Sequence, residues 1–424
     1  MAAEGRNKMK QMKDSGAKWI GEIPTHWKSD KLKYHLQRKE PKNPGDMMVL
    51  SLYRELGVIP KDSRDDNHNM TSEDTSKYKY VKPGNFVVNK MKAWQGSVAV
   101  SDYEGIVSPA YYVYEFTDNL YYKRYFHYLL RGCYKDEFMR LSGGMRVGQW
   151  DLSSEDLDNT LVIIPPIDEQ KAIAEFLDKK CEEVDELIAD IQTQIDTLEQ
   201  YKRSTITEAV TKGLNPTAEM KDCELEWASK IPAHWQVVPN KYLMAKKKII
   251  QSLYKGEDIL SLTVNGVIKR DLENPSGKMP TSFDGYQIVY PNNLLMCLFD
   301  IDVTPRCIGV IENYGLTSPA YSQFILNEEA DTNYYYYYYL SLDFTKELLH
   351  LAKNQRHSLN EEQFGAIKAI VPPIDEQKFI AEYLDKKCAE IDACIEEKKQ
   401  QMSVLETYKK SIIFEYVTGK KEVI

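Results

Sequence analysis

A heptapeptide that opens two long helical patterns most constrains how this chain can fold. Pro165 to Lys171 reads Pro-Pro-Ile-Asp-Glu-Gln-Lys, and the same seven residues recur at Pro372 to Lys378, 207 positions later. The similarity continues without insertion or deletion to Tyr201-Lys202 in the first copy and Tyr408-Lys409 in the second. Because one inserted residue would rotate every later side chain by about 100°, this unbroken register predicts two long helices of one design.

The apolar residues of both stretches repeat with the spacing of a coiled coil. They step alternately by four and three residues, and Lys398 is the one charged residue at such a position in the second stretch. Heptad spacing of this kind predicts that each helix packs lengthwise against another helix. The predicted seam consists of Leu177, Val184, Ile188, Ile191, Ile195 and Leu198 in the first helix and Leu384, Ile391, Ile395 and Leu405 in the second. A helix pair within the chain satisfies this seam, so a partner protein would have to dock on the outward faces.

Both helical patterns carry helix-start signals, and the first also carries a stop signal. The double prolines suit the position just before a helix, and Asp168-Glu169 and Asp375-Glu376 place negative charge on the first turn, where the helix dipole favours it. Gly213 and Pro216 end the first pattern. From Asp168 to Lys212 a helix would be about 65 Å long, which is long enough for a spacer.

Shorter motifs outside the helices repeat as well. Ile23 to Trp27 reads Ile-Pro-Thr-His-Trp and recurs as Ile-Pro-Ala-His-Trp at Ile231 to Trp235, and Ser-Pro-Ala-Tyr starts at both Ser108 and Ser318. The whole chain is therefore two copies of one module-and-helix unit. The predicted segments are an N-terminal segment packing with the helical spacer (1–27), a first globular module (28–164), a first spacer helix (165–213), a connecting segment (214–235), a second module (236–371) and a second spacer helix (372–424).

Each globular module is predicted to mix strands and helices. Runs rich in valine, tyrosine and phenylalanine, such as Phe86 to Val88 and Tyr111 to Phe116, are bounded by turn residues and indicate small strands. Tyr121 to Arg140 indicates a helix, and the six tyrosines from Tyr334 to Tyr339 match its start in the second module. The expected fold class is α+β, with two pseudo-symmetric mixed α/β modules and two long coiled-coil helices.

The distribution of charge leaves nucleic-acid binding open although the formal net charge is −9. Residues 165–213 contain 6 Lys and Arg against 12 Asp and Glu, whereas residues 28–164 contain 20 against 19. The acidic excess therefore lies on the helical stretch, and the first module can present a local basic face.

Composition also bounds the location of the chain and the state of its cysteines. No stretch has 18 consecutive apolar residues and the Lys-rich N-terminus lacks an apolar core, so we expect neither a membrane span nor a signal peptide, and a cytoplasmic location. The seven cysteines are dispersed without a Cys-x-x-Cys pair, and we interpret them as reduced thiols.

Motifs for catalysis are missing from the sequence. It contains no Asn/Asp-Pro-Pro-Tyr/Phe motif, no Gly-x-Gly-x-x-Gly loop and no Gly-x-x-x-x-Gly-Lys-Ser/Thr phosphate loop. The seven histidines are scattered, which argues against a metal site, and His26 and His234 lie inside the repeated framework, where a structural role is favoured. The sequence thus predicts neither an enzyme nor a metal protein.

Taken together, the repeated motifs resemble the DNA-specificity subunit of type I restriction-modification systems. The likeness rests on Trp-Ile-Gly-Glu-Ile-Pro-x-His-Trp at Trp19 to Trp27, on Ser-Pro-Ala-Tyr in each module, on Pro-Pro-x-x-Glu-Gln at both helix starts and on the Leu-Glu-x-Tyr-Lys helix ends. It spans essentially the full length, and the fixed offset makes these short strings specific in combination.

The resemblance implies how the work is divided between subunits. Each module would be a target recognition domain that reads one half of a split double-stranded DNA sequence, and the two helices would pair antiparallel to hold the modules apart. The same helices would dock two methyltransferase (M) subunits, which motor-nuclease (R) subunits join. S-adenosylmethionine, ATP and Mg would then be bound by those partners, and no cofactor by this chain, which would catalyse nothing.

Side chains that differ between the modules and carry hydrogen-bonding groups are the candidate base readers, because Arg and Lys can pair with guanine and Asn and Gln with adenine. The candidates are Lys90, Lys92, Trp94, Gln95, Arg146 and Gln149 in the first module and Arg306, Lys353, Asn354, Gln355, Arg356 and His357 in the second. Solvated loop charge is the alternative for these residues, phosphate contact the alternative for Lys90 and Lys92, and packing the alternative for Trp94.

Two other functions remain open from the sequence. The chain could be a stand-alone twin-module DNA-binding protein, such as a repressor or architectural factor. It could instead be the recognition portion of a larger single-chain restriction-methylation enzyme. The length of both helices, greater than is needed to join two domains, argues against the stand-alone DNA-binding protein.

Overall fold

The computed structural model describes residues 11–54, 56–63, 74–144, 150–274, 280–352 and 357–423. The chain forms two compact units. Unit 1 comprises residues 1–190 and 400–424, and unit 2 comprises residues 191–399. Each unit therefore combines one globular module with parts of both long helices.

Unit 1 contains twelve strands and three short helices within its described residues, and the first long helix begins in it. The strands are β1 (Met12–Asp14), β2 (Glu22–Pro24), β3 (Lys28–Lys31), β4 (Leu36–Lys39), β5 (Leu50–Tyr53), β6 (Gly57–Pro60), β7 (Lys79–Val81), β8 (Phe86–Asn89), β9 (Val98–Val100), β10 (Gly105–Val107), β11 (Tyr111–Phe116) and β12 (Leu161–Ile164). The helices are α1 (Lys123–Cys133), α2 (Lys135–Leu141), α3 (Ser154–Asn159) and the long α4 (Ile167–Lys212).

Unit 2 repeats this element order one for one. Its strands are β13 (Met220–Leu225), β14 (Ala228–Pro232), β15 (Gln236–Pro239), β16 (Met244–Lys247), β17 (Leu260–Thr263), β18 (Gly266–Lys269), β19 (Gln287–Val289), β20 (Leu294–Met296), β21 (Ile308–Val310), β22 (Gly315–Thr317), β23 (Ser322–Leu326) and β24 (Lys368–Val371). Its helices are α5 (Thr332–Phe344), α6 (Glu347–Leu351), α7 (Glu361–Ala366) and the long α8 (Ile374–Val417), which ends in unit 1.

A four-stranded antiparallel sheet forms the centre of each module. Its order is β4-β11-β8-β9 in unit 1 and β16-β23-β20-β21 in unit 2, so corresponding strands occupy corresponding places. Helix α1 covers the sheet of unit 1, where the rings of Phe86 and Phe126 are 5.2 Å apart. The two-stranded pairs β3–β12 and β15–β24 join the beginning of each module to its end, next to the start of a long helix. These observations confirm the predicted α+β fold class.

The stretch from Tyr121 to Arg140 is two helices rather than the single predicted one. Helix α1 ends at Cys133 and α2 begins at Lys135. Between them Tyr134 has φ −102° and ψ −2°, away from regular helical angles. Its buried hydroxyl donates to the carbonyl of Leu161 at 2.9 Å, a contact that holds the break in place. The six consecutive tyrosines lie within α5, as predicted.

Within each unit, a part of α4 and a part of α8 pack antiparallel. In unit 1 the rings of Phe176 and Tyr416 lie 4.3 Å apart and Lys409 pairs with Asp185 at 2.6 Å, so position increases along one helix as it decreases along the other. In unit 2 Lys202 pairs with Asp392 at 2.6 Å. The buried seam positions are Leu177, Val184, Ile195, Leu384, Ile391 and Ile395, and the half-buried ones are Ile188, Ile191, Leu198 and Leu405.

The charged residue in the seam has a partner of its own. Lys398 is half-buried, and its Nζ donates to Oε1 of Gln194 on the other helix at 2.5 Å. A long side chain can lie along apolar surface in this way while its ammonium group reaches a polar acceptor. Among the described residues, no helix is long and apolar enough to span a membrane.

Candidate nucleic-acid interface

The glutamine of the helix-start motif fixes each module to its long helix. Gln170 is fully buried in unit 1. Its Nε2 donates to the carbonyls of Leu120 and Pro165 at 2.7 and 2.8 Å, and its Oε1 accepts from the N–H of Tyr122 at 2.8 Å. Because Tyr122 precedes α1, these bonds tie the start of that helix to the start of α4.

Unit 2 repeats this arrangement with Gln377. Its Nε2 donates to the carbonyls of Glu329 and Pro372, both at 2.9 Å, and its Oε1 accepts from the N–H of Asp331 at 2.8 Å. Asp331 caps α5, the counterpart of α1. The glutamine of the motif therefore attaches each module to the start of its long helix, with the same hydrogen bonds in both units.

The glutamate of the same motif binds the repeated His-Trp pair. Oε2 of Glu169 accepts from Nε1 of Trp27 at 2.9 Å, and Oε1 lies 2.7 Å from Nε2 of His26. Glu376 contacts Trp235 at 3.0 Å and His234 at 2.9 Å in the same way. These contacts confirm the structural role predicted for both histidines. The repeated residues thus hold the framework in the same way in both modules.

Two divergent segments of the first module lie side by side. The segment after β8 begins at Lys90, whose carbonyl accepts from the N–H of Leu152 at 3.0 Å. Lys90 Nζ also pairs with Asp151 at 2.8 Å. This hydrogen bond raises the pKa of Lys90 and so favours its charged form. Gly143 and Asp151 also exchange backbone hydrogen bonds, at 3.2 and 3.0 Å. The structure therefore joins two stretches about 60 residues apart in sequence into one surface.

The second module brings its divergent segments together at the equivalent place. The N–H of Leu359 donates to the carbonyl of Leu298 at 2.8 Å, which corresponds to the Leu152–Lys90 bond of the first module. Nearby, Nδ1 of His357 lies 2.9 Å from Oδ2 of Asp302, and this contact lowers the pKa of Asp302. The two modules therefore share the site of convergence and differ in its chemistry.

Among the candidates of the first module, the described side chains divide into exposed and engaged groups. Lys92 is exposed. Trp94 is half-buried against Trp150, with ring centroids 5.6 Å apart, and its Nε1 donates to a backbone carbonyl. Gln95 is half-buried and accepts from the guanidinium of Arg54 at 2.7 Å. Trp94 thus makes packing contacts. The Arg54–Gln95 pair presents polar groups, and Gln95 follows Lys92 by three residues.

In the second module Arg306 and His357 are the candidates that the structure describes. Arg306 is half-buried, and its positive charge partly offsets the burial that raises the pKa of Tyr336. His357 adopts the left-handed region at φ 44°. The remaining candidates lie outside the described residues: Arg146, Gln149, Lys353, Asn354, Gln355 and Arg356.

The site can make hydrogen bonds and ion pairs, and the described residues show no cluster of His, Cys, Asp and Glu suited to a metal ion. Sequence reasoning did not indicate that Arg54 contacts Gln95, because the two residues are 41 positions apart. It also missed Trp150, although that residue ends the stretch from Arg140 that has no counterpart in the second module. That divergence was the available signal.

Comparison with known proteins gives concordant matches. A family model described as the type I restriction modification DNA specificity domain matches residues 36–207 and 311–406. The MjaVIII type I restriction enzyme specificity subunit of Methanocaldococcus jannaschii is 27% identical over 374 residues, covering 81% of this chain and 83% of its own length. A second protein of that organism, named as the MjaX type I restriction enzyme specificity subunit, is 26% identical over 315 residues. The match covers 70% of this chain and 68% of the relative's own length.

A solved structure concerned with complex assembly and conformational transition of a type I restriction-modification system matches with a TM-score of 0.68. The match covers 94% of this chain and 99% of the other, at 14% sequence identity. At that identity the likeness concerns the fold.

Proposed function

Since this chain belongs to the type I restriction-modification DNA-specificity family, we propose that each of its modules reads one half of a two-part DNA target. The observation that carries this proposal is the pair of equivalent convergence points in the two modules. A shared framework holds different loops at the Lys90–Leu152 contact in one module and at the Leu298–Leu359 contact in the other. Two readers of one design with different contents suit a target made of two different half-sites.

The chemistry of the two loop surfaces suits base and phosphate contacts. Lys90 and Lys92 can donate to guanine or to a phosphate, and Gln95 can pair with adenine once it exchanges its bond to Arg54. In the second module Arg306 and His357 are the described candidates. Asp151 holds Lys90 before DNA arrives, so a phosphate or base would have to replace a contact that already exists.

The paired helices are proposed to set the separation of the half-sites and to dock two adenine-methyltransferase subunits. Outward-facing acidic residues on α4, namely Glu182, Glu186 and Asp190, are exposed and available to a partner with a basic surface. In this proposal the chain itself is not a catalyst. Adenine methylation with S-adenosylmethionine, and ATP- and Mg-dependent restriction, belong to methyltransferase and motor-nuclease partners.

The test is to co-express this chain with its methyltransferase subunit in a host free of adenine methylation and to map methylated adenines by single-molecule sequencing. We expect one split motif with a fixed unread gap, present only when this chain is supplied. Association without new methylation, in a complex whose methyltransferase is active with another specificity subunit, would refute the recognition role. Absence of any association would favour a stand-alone twin-module DNA-binding protein.

Exchange of one module tests the independence of the two readers. Replacing residues 28–160 with those of another family member should change one half of the methylated motif and leave the other half and the gap unchanged. The matched control replaces the corresponding region of the second module, which should change the other half. A change in both halves after either exchange would contradict the proposal.

A further inference from the structure

Each module exposes a tyrosine beside a lysine on a short turn between two strands. The turn at Leu32–Tyr34 joins β3 to β4, and the turn at Asn240–Tyr242 joins β15 to β16. The exposed fractions of Tyr34 and Tyr242 are 60% and 62%. The Nζ atom of the preceding lysine lies 5.5 Å from the ring centroid in the first module and 5.2 Å in the second.

Backbone hydrogen bonds hold the first of these turns on both sides. The N–H of Leu32 donates to the carbonyl of Thr160 at 2.9 Å, and the carbonyl of His35 accepts from the N–H of Thr117 at 2.9 Å. Leu32 itself is fully buried. The side chains of Lys33 and Tyr34 are therefore exposed on a turn whose backbone is hydrogen-bonded on both sides.

The second turn is held by the equivalent bonds. The N–H of Asn240 donates to the carbonyl of Ile367 at 2.9 Å, and the carbonyl of Leu243 accepts from the N–H of Asn327 at 2.9 Å. Asn240 is buried and its side chain bonds to the carbonyl of Phe364. Buried Leu32 and Asn240 thus anchor the two turns. The exposed Lys-Tyr pairs take no part in this packing.

The strand that follows each turn carries basic side chains. This strand is an edge of the four-stranded sheet and contains Arg38 and Lys39 in β4 and Lys246 and Lys247 in β16. Lysines on an edge strand also discourage pairing with other chains. That role does not explain why an exposed aromatic ring accompanies the lysine of each turn. The Lys33 ammonium donates to Oδ1 of Asn159 at 3.0 Å, a neutral partner that leaves its charge uncompensated.

We propose that the Lys33-Tyr34 and Lys241-Tyr242 turns are phosphate contacts that dock both modules on the DNA backbone. The proposal rests on the proposed function, in which both modules face DNA. A Lys-Tyr pair that is identical in the two modules cannot distinguish two different half-sites. It can contact the sugar-phosphate backbone, because that backbone is the same in both half-sites. Half or more of protein–DNA hydrogen bonds go to this backbone, and lysine ammonium and tyrosine hydroxyl groups are suitable donors.

The experiment uses the complex of this chain with its methyltransferase. One variant carries Lys33→Gln and Lys241→Gln together. A second variant carries Tyr34→Phe and Tyr242→Phe together. DNA affinity is measured against salt concentration on cognate and unrelated duplexes. Because each lost phosphate contact lowers the slope of log K against log salt by about 0.9, the lysine variant should lose about 1.8 from that slope. Both duplexes should be affected by the same factor, with the methylated motif unchanged.

The matched control neutralises Lys13 and Lys230, one exposed lysine in each unit away from the turns, and should leave the slope unchanged. A slope and affinity equal to those of the unsubstituted complex would overturn the proposal. So would loss of methyltransferase binding with intact DNA binding by the chain alone, since the turns would then be a protein-docking surface. Failure of the proposed function would appear separately, as no split motif for the unsubstituted complex.

Discussion

The buried glutamine of the helix-start motif offers the sharpest test of how the modules are mounted. Gln170 makes three hydrogen bonds, to Leu120, Pro165 and Tyr122, with no exposed surface. Gln170→Met keeps the volume of the side chain but leaves two carbonyl oxygens and one N–H group without this partner. Each such loss costs about 1 to 3 kcal/mol, so we expect a loss of at least about 3 kcal/mol in the free energy of unfolding of unit 1.

This loss should be visible both globally and locally. At about 2 to 4 °C per kcal/mol for a domain of this size, the melting temperature of unit 1 should fall by roughly 10 °C. Hydrogen exchange followed by mass spectrometry should show faster exchange in peptides of α1 and of the first turns of α4. The same method assigns the change to one unit, because peptides of unit 2 should keep their protection.

Two matched variants complete this experiment. Gln377→Met should lower the free energy of unfolding of unit 2 by the same amount, because Gln377 makes the equivalent three hydrogen bonds. Gln192→Met, at an exposed position in the unit 2 part of α4, is the control for Gln377→Met and should change the stability of unit 2 by less than about 0.5 kcal/mol. If Gln170→Met cost less than about 1 kcal/mol, hydrogen bonding by the motif could not be what mounts the module.

Further predictions concern pH, a buried hydroxyl and the spacer. Burial, together with Arg131 and Arg124, lowers the pKa of His127 from 6.5 to about 3, so the unfolded chain takes up a proton below pH 6.5 that the folded chain does not. The free energy of unfolding should fall by about 2 kcal/mol between pH 7 and pH 5, and His127→Gln should remove that part of the pH dependence in denaturant titrations. Tyr125→Phe removes a buried 2.7 Å hydrogen bond to the carbonyl of Val417 and should cost about 1 to 2 kcal/mol in the same titrations, whereas an exposed Tyr→Phe change should be neutral. Inserting one heptad into both long helices should lengthen the unread gap of the methylated motif by roughly 10 Å, near three base pairs, and an unchanged gap would show that the helices do not measure it.

Most of the architecture could be predicted from the sequence because it depends on local periodicity. The 4-3 spacing of apolar residues specifies a helix seam, and the double prolines with following acids mark both helix starts, which the structure places at Ile167 and Ile374. The repeat of motifs at offsets of 207 to 210 residues predicted two equal modules. The single helix predicted from Tyr121 was wrong at Tyr134, where contacts distant in sequence break the helix.

The candidate site was predictable only in part. Divergence between the modules pointed to the segments at Lys90 and near Trp150, but spacing alone gave no sign that they touch. It likewise gave no partner for Gln95, which is held by Arg54.

The sequence by itself determined the two helices, the twofold repetition and the membership of a DNA-specificity family, because repeated motifs and heptads are properties of neighbouring residues. Only the tertiary structure decided which segments meet at each module surface, that Glu169 and Gln170 attach the module to its long helix, and that two Lys-Tyr pairs are exposed on hydrogen-bonded turns. These features depend on strand pairing and burial between residues far apart in the chain, and local sequence patterns do not encode such contacts.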